Sequence, residues 1–224
     1  MRTGHLFAGG GGGLYADLIL GHQPVFAVEW DEWRARWLAC QFPDTEIIRA
    51  DARTVEFSLW AGRVDCLHAG TPCPKWSSAR RGMGDPIDHT ETVIRAVCLL
   101  QPEWVFLECV ANYRREHGRL AQDMREIGYT LTRPLILDAA AVGAPHSRPR
   151  YWALGHSDAH REPIVPVHAE MAVLPTPDPG PWEIDPEEIR LDDGLAESHK
   201  LLAAYGDGQV PLCAAVAWKI LGGP

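Results

Sequence analysis

The 224-residue chain is 46% hydrophobic, enough for the packed core of one domain with a small appendage. Its formal net charge is −9, yet residues 1–155 hold 17 Lys and Arg against 18 Asp and Glu, so the acidity belongs to residues 156–224 and a local basic surface stays open on the larger part. No apolar run approaches the roughly 18 residues of a membrane span, and glycines stand where a signal peptide would carry its apolar core, so a cytoplasmic protein with no membrane partner is expected.

Apolar runs of strand length alternate with amphipathic stretches through residue 155, which predicts an α/β fold: a doubly wound, mostly parallel sheet with helices on both faces. Strands are expected near 4–8, 24–30, 46–50, 64–69, 104–110, 131–137 and 150–155. The clearest helices are 31–42, 90–101 and 115–127, the last stopped by Gly128. Beyond 156 the chain turns proline-rich and acidic without a period, an irregular arm to about 196. Short helices near 197–205 and 211–221 close the chain and are expected to pack back on the first domain, 1–155.

Between the first strand and the next helix stand five consecutive glycines, Gly9 to Gly13, in "LFAGGGGGLYADLILG". Glycine there lets backbone approach a ligand, and a helix N-terminus offers free N–H groups. No Lys-Ser/Thr follows, so this is not a nucleoside-triphosphate loop of the Walker type. At the end of the second strand Glu29 stands about 20 residues on, where an acidic residue accepts from a ribose diol. Trp30 could stack on adenine, and Asp51, closing the third strand, could reach an exocyclic amine. Each has a plainer alternative as a helix-start charge, a core residue or a turn residue; together they describe an adenosine site.

The fourth strand delivers "GTPCPKWSSARRG" to the same edge. Six cysteines without a CxxC pair suit a reducing compartment and argue against a zinc site; only Cys73, fixed between Pro72 and Pro74, sits in a loop where a thiol could react. Glu108 closes the next apolar strand, where burial would raise its pKa and let it protonate or hydrogen-bond a substrate nitrogen. Arg148 and Arg150 in "APHSRPRYW" alternate into a strand, so they share a face suited to an anionic or carbonyl-bearing substrate.

Phe7-Ala8-Gly9, Glu29, Asp51, Pro72-Cys73, Glu108 with Val110, Arg148 and Arg150, and Gly206 with Val210-Pro211 stand in the order of the motifs of the cytosine-C5 DNA methyltransferases, which nearly the whole chain resembles. The resemblance implies a Rossmann-like fold of the S-adenosylmethionine-dependent type. It makes Cys73 the nucleophile at cytosine C6, Glu108 the partner of N3 and the exocyclic amine, Arg150 the contact to O2, and Arg148 a support of the loop or of a phosphate. It implies that S-adenosylmethionine, leaving as S-adenosylhomocysteine, lies against Phe7, Ala8, Gly9, Gly11, Gly12, Glu29, Trp30, Asp51, Ala52, Pro72, Asp207 and Val210. Ser77, Arg80 and Arg81 would close behind a flipped base, and no metal is needed.

The chain departs from that pattern at three places: Cys109 and Asp207 replace asparagines, and Pro74 follows Cys73 where glutamine is usual. The segment between the arginine motif and the last motif has about 50 residues instead of a recognition region of a hundred or so, and an acidic arm reads base edges poorly. Low sequence selectivity on DNA is therefore expected, with a free cytosine nucleotide as the alternative substrate and a catalytically silent, cofactor- or partner-binding relative as the alternative class.

Overall fold

The computed structural model describes residues 1–72, 89–159 and 208–224. Strands β1 (Arg2–Leu6), β2 (Gln23–Glu29), β3 (Glu46–Arg49), β4 (Cys66–Gly70), β5 (Trp104–Val110), β6 (Tyr129–Leu131), β7 (Leu135–Asp138) and β8 (Pro149–Ser157) join in one sheet. The order is β3-β2-β1-β4-β5-β8-β6, with β7 also paired to β8. β1 to β5 run parallel, and β8 is antiparallel to β5. The apolar runs of β1, β2, β4 and β5 suit strands covered on both faces.

Helices α1 (Gly12–Leu20), α2 (Glu32–Gln41), α3 (Thr90–Leu100), α4 (His117–Glu126) and α5 (Pro211–Ile220) supply that cover. On one face Leu67, Val105 and Leu107 pack with Val93, Val97 and Leu100 of α3 and Leu120 and Met124 of α4. On the other, Cys66, Phe106 and Trp152 meet Ala16 of α1 and Ala214, Ala217 and Trp218 of α5, while Leu38 of α2 packs with Leu14 and Ala27. Local chemistry fixes the helix ends. Asp31 caps α2 by accepting from the Arg34 N–H at 2.8 Å, Gly21 ends α1 in the left-handed region, and Pro211 opens α5 where its missing N–H is harmless.

The doubly wound sheet matches the expectation, with one correction. The strand expected at 131–137 is two strands, β6 and β7, both laid along β8. Pro134 between them has no N–H for a ladder, and at Thr132 the chain instead exchanges bonds with Leu154, the Thr132 N–H donating to its carbonyl at 2.8 Å and the Leu154 N–H donating to Thr132 Oγ1 at 3.1 Å. The last helix lies at Pro211–Ile220 as expected, whereas the helix near 197–205 and most of the proline-rich arm fall outside the described residues. Among the described residues no helix is long and apolar enough to cross a membrane.

Candidate active site

β1 lies between β2 and β4, so the chain winds away from it in both directions and leaves a crevice at the carboxyl ends of these strands. A cavity of about 650 Å3 occupies that crevice, a volume suited to a nucleotide-sized ligand. Phe7, Ala8 and Gly9 after β1, Glu29 and Trp30 after β2, Asp51 and Ala52 after β3, Pro72 after β4, Glu108 on β5, and Arg148 and Arg150 at β8 all line it. Those of the sequence-derived residues that line it, from Phe7, Gly9, Glu29, Trp30 and Asp51 to Glu108, Arg148 and Arg150, thus share one cavity.

At the end of β1 the backbone reverses sharply. Phe7 takes the left-handed region at φ 57°, rare for a residue with a side chain, and Gly9 and Gly11 follow at 57° and 91°. Glu29 holds the turn, one carboxylate oxygen accepting from the Gly9 N–H at 2.7 Å and the other from the Asp31 N–H at 2.8 Å. Gly11 caps α1 with no side-chain hydrogen bond, which leaves donors at the helix start for a ligand. Gly11 and Gly12 shape this turn without lining the cavity. A Cβ on Gly12 would stand 2.0 Å from the Gln209 carbonyl oxygen, so the tight approach requires glycine.

Trp30 is 68% exposed, an indole presented at the rim instead of packed in the core. Asp51 is gripped by Arg53, whose Nε lies 2.9 and 3.0 Å from its two oxygens. Hydrogen bonding from that guanidinium holds the Asp51 carboxyl below its ordinary range.

Glu108 is buried, and burial pushes its pKa up from the ordinary 4.5 to about 6 against the opposing charges of Arg150 and Arg148 and a hydrogen bond from Gln209. Arg150 Nε stands 3.2 Å from Glu108 Oε1. Arg148 lies just before β8 and donates through Nη2 to the Gly208 carbonyl at 2.8 Å, which ties the last described segment to the arginine motif. Cys109, next to Glu108 on β5, is buried in the core cluster and also lines the cavity. Cys73, Ser77, Arg80, Arg81 and Asp207 lie outside the described residues, and Val210, which caps α5, does not line the cavity.

Gln209, His5 and His68 are among the lining residues that the sequence reading did not point to. Gln209 sits between the glycine turn and Glu108; a Cβ on Gly70 would stand 2.7 Å from its Nε2 and 3.3 Å from Glu108 Oε2, so Gly70 makes room for that contact. His5 and His68 lie side by side on β1 and β4 at the cavity floor. Their strands alternate in facing, so two histidines near the ends of adjacent strands were a signal available in the sequence.

This sheet, with its glycine turn at the switch point and acidic residues on the next strand ends, is the Rossmann-like methyltransferase fold. The solved DNMT2 of Spodoptera frugiperda, a mutant form, aligns with a TM-score of 0.60 at 20% identity, covering 72% of this chain and 51% of that one. The S. pombe Dnmt2 methyltransferase aligns at 0.55 and 19% identity, covering 72% and 52%. The C-5 cytosine-specific DNA methylase family matches residues 1–198, and the chain belongs to that family. Among curated relatives, the type II methyltransferase M.HgiDI of Herpetosiphon aurantiacus is 30% identical over 165 residues, 70% of this chain and 52% of that protein. M.HpaII of Haemophilus parainfluenzae is 30% identical over 164 residues, 67% of this chain and 44% of that protein. The chain spans about half the length of the curated relatives it matches.

Proposed function

We propose that this chain transfers a methyl group from S-adenosylmethionine to C5 of cytosine in DNA, with little selectivity for flanking sequence. The single observation that carries the reading is the continuity of the cavity from Gly9, Glu29, Trp30 and Asp51 to Glu108, Arg148 and Arg150. The first group suits an adenosine and the second a pyrimidine, and family membership says which reaction joins them.

The residues fit the cofactor on their own terms. Glu29 keeps lone pairs for a ribose diol while bracing the turn, the α1 N-terminus lacks a side-chain cap, and Trp30 offers an exposed ring face. When bound, S-adenosylmethionine supplies an electrophilic methyl on a sulfonium sulfur. The chain's own groups prepare the acceptor. By its place in the motif, the Cys73 thiolate adds to C6, and the electron pair of the C5–C6 double bond becomes available at C5. Glu108, with a pKa of about 6, holds a proton or a hydrogen bond at ring N3 as negative charge develops there. Arg150, already 3.2 Å from Glu108, neutralises that carboxylate and offers remaining N–H groups to the carbonyl O2. C5 would take the methyl carbon as that carbon's bond to the sulfonium sulfur breaks and leaves a neutral thioether. A base would then remove the C5 proton, the C5–H pair would restore the C5–C6 double bond, and the pair of the Cys73–C6 bond would return to the Cys73 sulfur. A base in a duplex must first leave the stack to reach this cavity.

The test is incubation with labelled S-adenosylmethionine and, in separate arms, duplex DNA, single-stranded DNA and cytidine nucleotides. Label in 5-methylcytosine of DNA supports the reading. Label in nucleotides alone favours the free-nucleotide substrate to which the acidic balance of residues 156–224 points. Cofactor binding without transfer in any arm leaves a silent relative.

A further inference from the structure

Below the cavity floor lies a polar cluster that methyl transfer does not use. His5 of β1 and His68 of β4 are paired in register, with ring centroids 4.6 Å apart. Asp17 of α1 faces them and is wholly buried. His5 Nε2 lies 2.7 Å from Asp17 Oδ2, and His68 Nε2 lies 3.7 Å from Asp17 Oδ1. His68 is 2% exposed, and neither of its ring nitrogens has a hydrogen-bond partner among the described residues. A buried ring nitrogen without a partner is destabilising unless something else occupies its lone pair.

We propose that His5, His68 and the Asp17 carboxylate bind one divalent transition-metal ion of the zinc type. The three donor atoms lie within 4.8 Å of one another. A tetrahedral ion with bonds of about 2.0–2.1 Å spaces its donors about 3.3 Å apart, between the 2.7 Å and 3.7 Å found at Asp17. Two imidazoles and one carboxylate select zinc and its neighbours over magnesium or calcium, which prefer all-oxygen shells. The carboxylate is oriented from outside the donor set. Thr3 Oγ1 donates to Asp17 Oδ2 at 2.5 Å, and His22 Nδ1 lies 3.4 Å from Oδ1. His5 and His68 line the cavity, which provides both an entry path and a fourth position for water. To ligate through Nε2, His5 carries its proton on Nδ1. An ion here pins α1, and with it the glycine turn, to β1 and β4.

The inference is independent of the methyl-transfer reading, and its test reads metal, not activity. The full chain is stripped with chelator, titrated with Zn2+ and, after desalting, assayed for zinc per chain by mass spectrometry. One equivalent is expected, with a melting temperature that rises with zinc concentration. His68→Ala and the closer-sized His68→Asn should each lose roughly tenfold or more in zinc affinity. Substitution with Co2+ should give visible ligand-field bands of a tetrahedral site in the unmodified chain, a readout that needs no variant to fold. Zinc well below one equivalent in the unmodified chain, or affinity unchanged in both His68 variants, overturns the proposal.

Discussion

Glu108 owes its raised pKa to burial beside two guanidinium groups that only partly offset the loss of water. Because the folded pKa of about 6 lies above the ordinary 4.5, the folded state binds this proton more tightly than the unfolded chain does. The stability it contributes is full below pH 4.5 and is lost as pH rises through about 6. Glu108→Gln should therefore flatten the stability profile across that window by on the order of 2 kcal/mol, measured by denaturant unfolding at several pH values. The same variant should lose roughly 100-fold or more in turnover with cofactor affinity nearly unchanged, as measured by single-turnover assay and calorimetry. Trp30→Ala should do the reverse. Its indole is mostly exposed, so stability should move by less than about 0.5 kcal/mol, while cofactor affinity in a calorimetric titration falls roughly threefold to tenfold with loss of a stacked ring. Glu108 and Trp30 were legible in the sequence because each closes or follows an apolar strand. Gln209 was not, since its meeting with Glu108 depends on the chain returning from beyond residue 159, and no local pattern marks such a contact.

The glycine turn and the segment 208–210 form one joint between α1 and α5. Gly12 presses against the Gln209 backbone, and Arg148 holds the Gly208 carbonyl. Gly12→Ala places a methyl against that backbone and should destabilise the fold by about 1–3 kcal/mol while weakening cofactor binding. Gly118→Ala in α4 is the matched control; nothing lies within 4 Å of its added methyl, and the exchange should be neutral or stabilising by up to about 1 kcal/mol in thermal unfolding. The mostly parallel character of the sheet followed from the alternation of apolar runs and helices, because parallel strands need crossovers and crossovers need helices. The break at Pro134 and the reversed direction of β8 did not follow. Periodicity reports which face a residue takes, not which way its strand runs, and a proline within an apolar run leaves both a bulge and a break open.

At the scale of the molecule, the described sheet edge presents one cavity lined by Gly9, Glu29, Trp30 and Asp51 and by Glu108, Arg148 and Arg150. The formal charge of −9 limits how many phosphates the chain can neutralise, so binding to duplex DNA should be weak and, with few counterions released, should fall only gently with added salt, without strong dependence on sequence. Gel shifts on several unrelated duplexes across a salt series check this; a nanomolar complex with one sequence alone would contradict it. The most direct measurement of the central claim is mass spectrometry of nucleosides from DNA incubated with S-adenosylmethionine and either the unmodified chain or Cys73→Ala. The account predicts 5-methylcytosine with the first and none with the second, cofactor binding being retained in both. Equal 5-methylcytosine from the two proteins would contradict it.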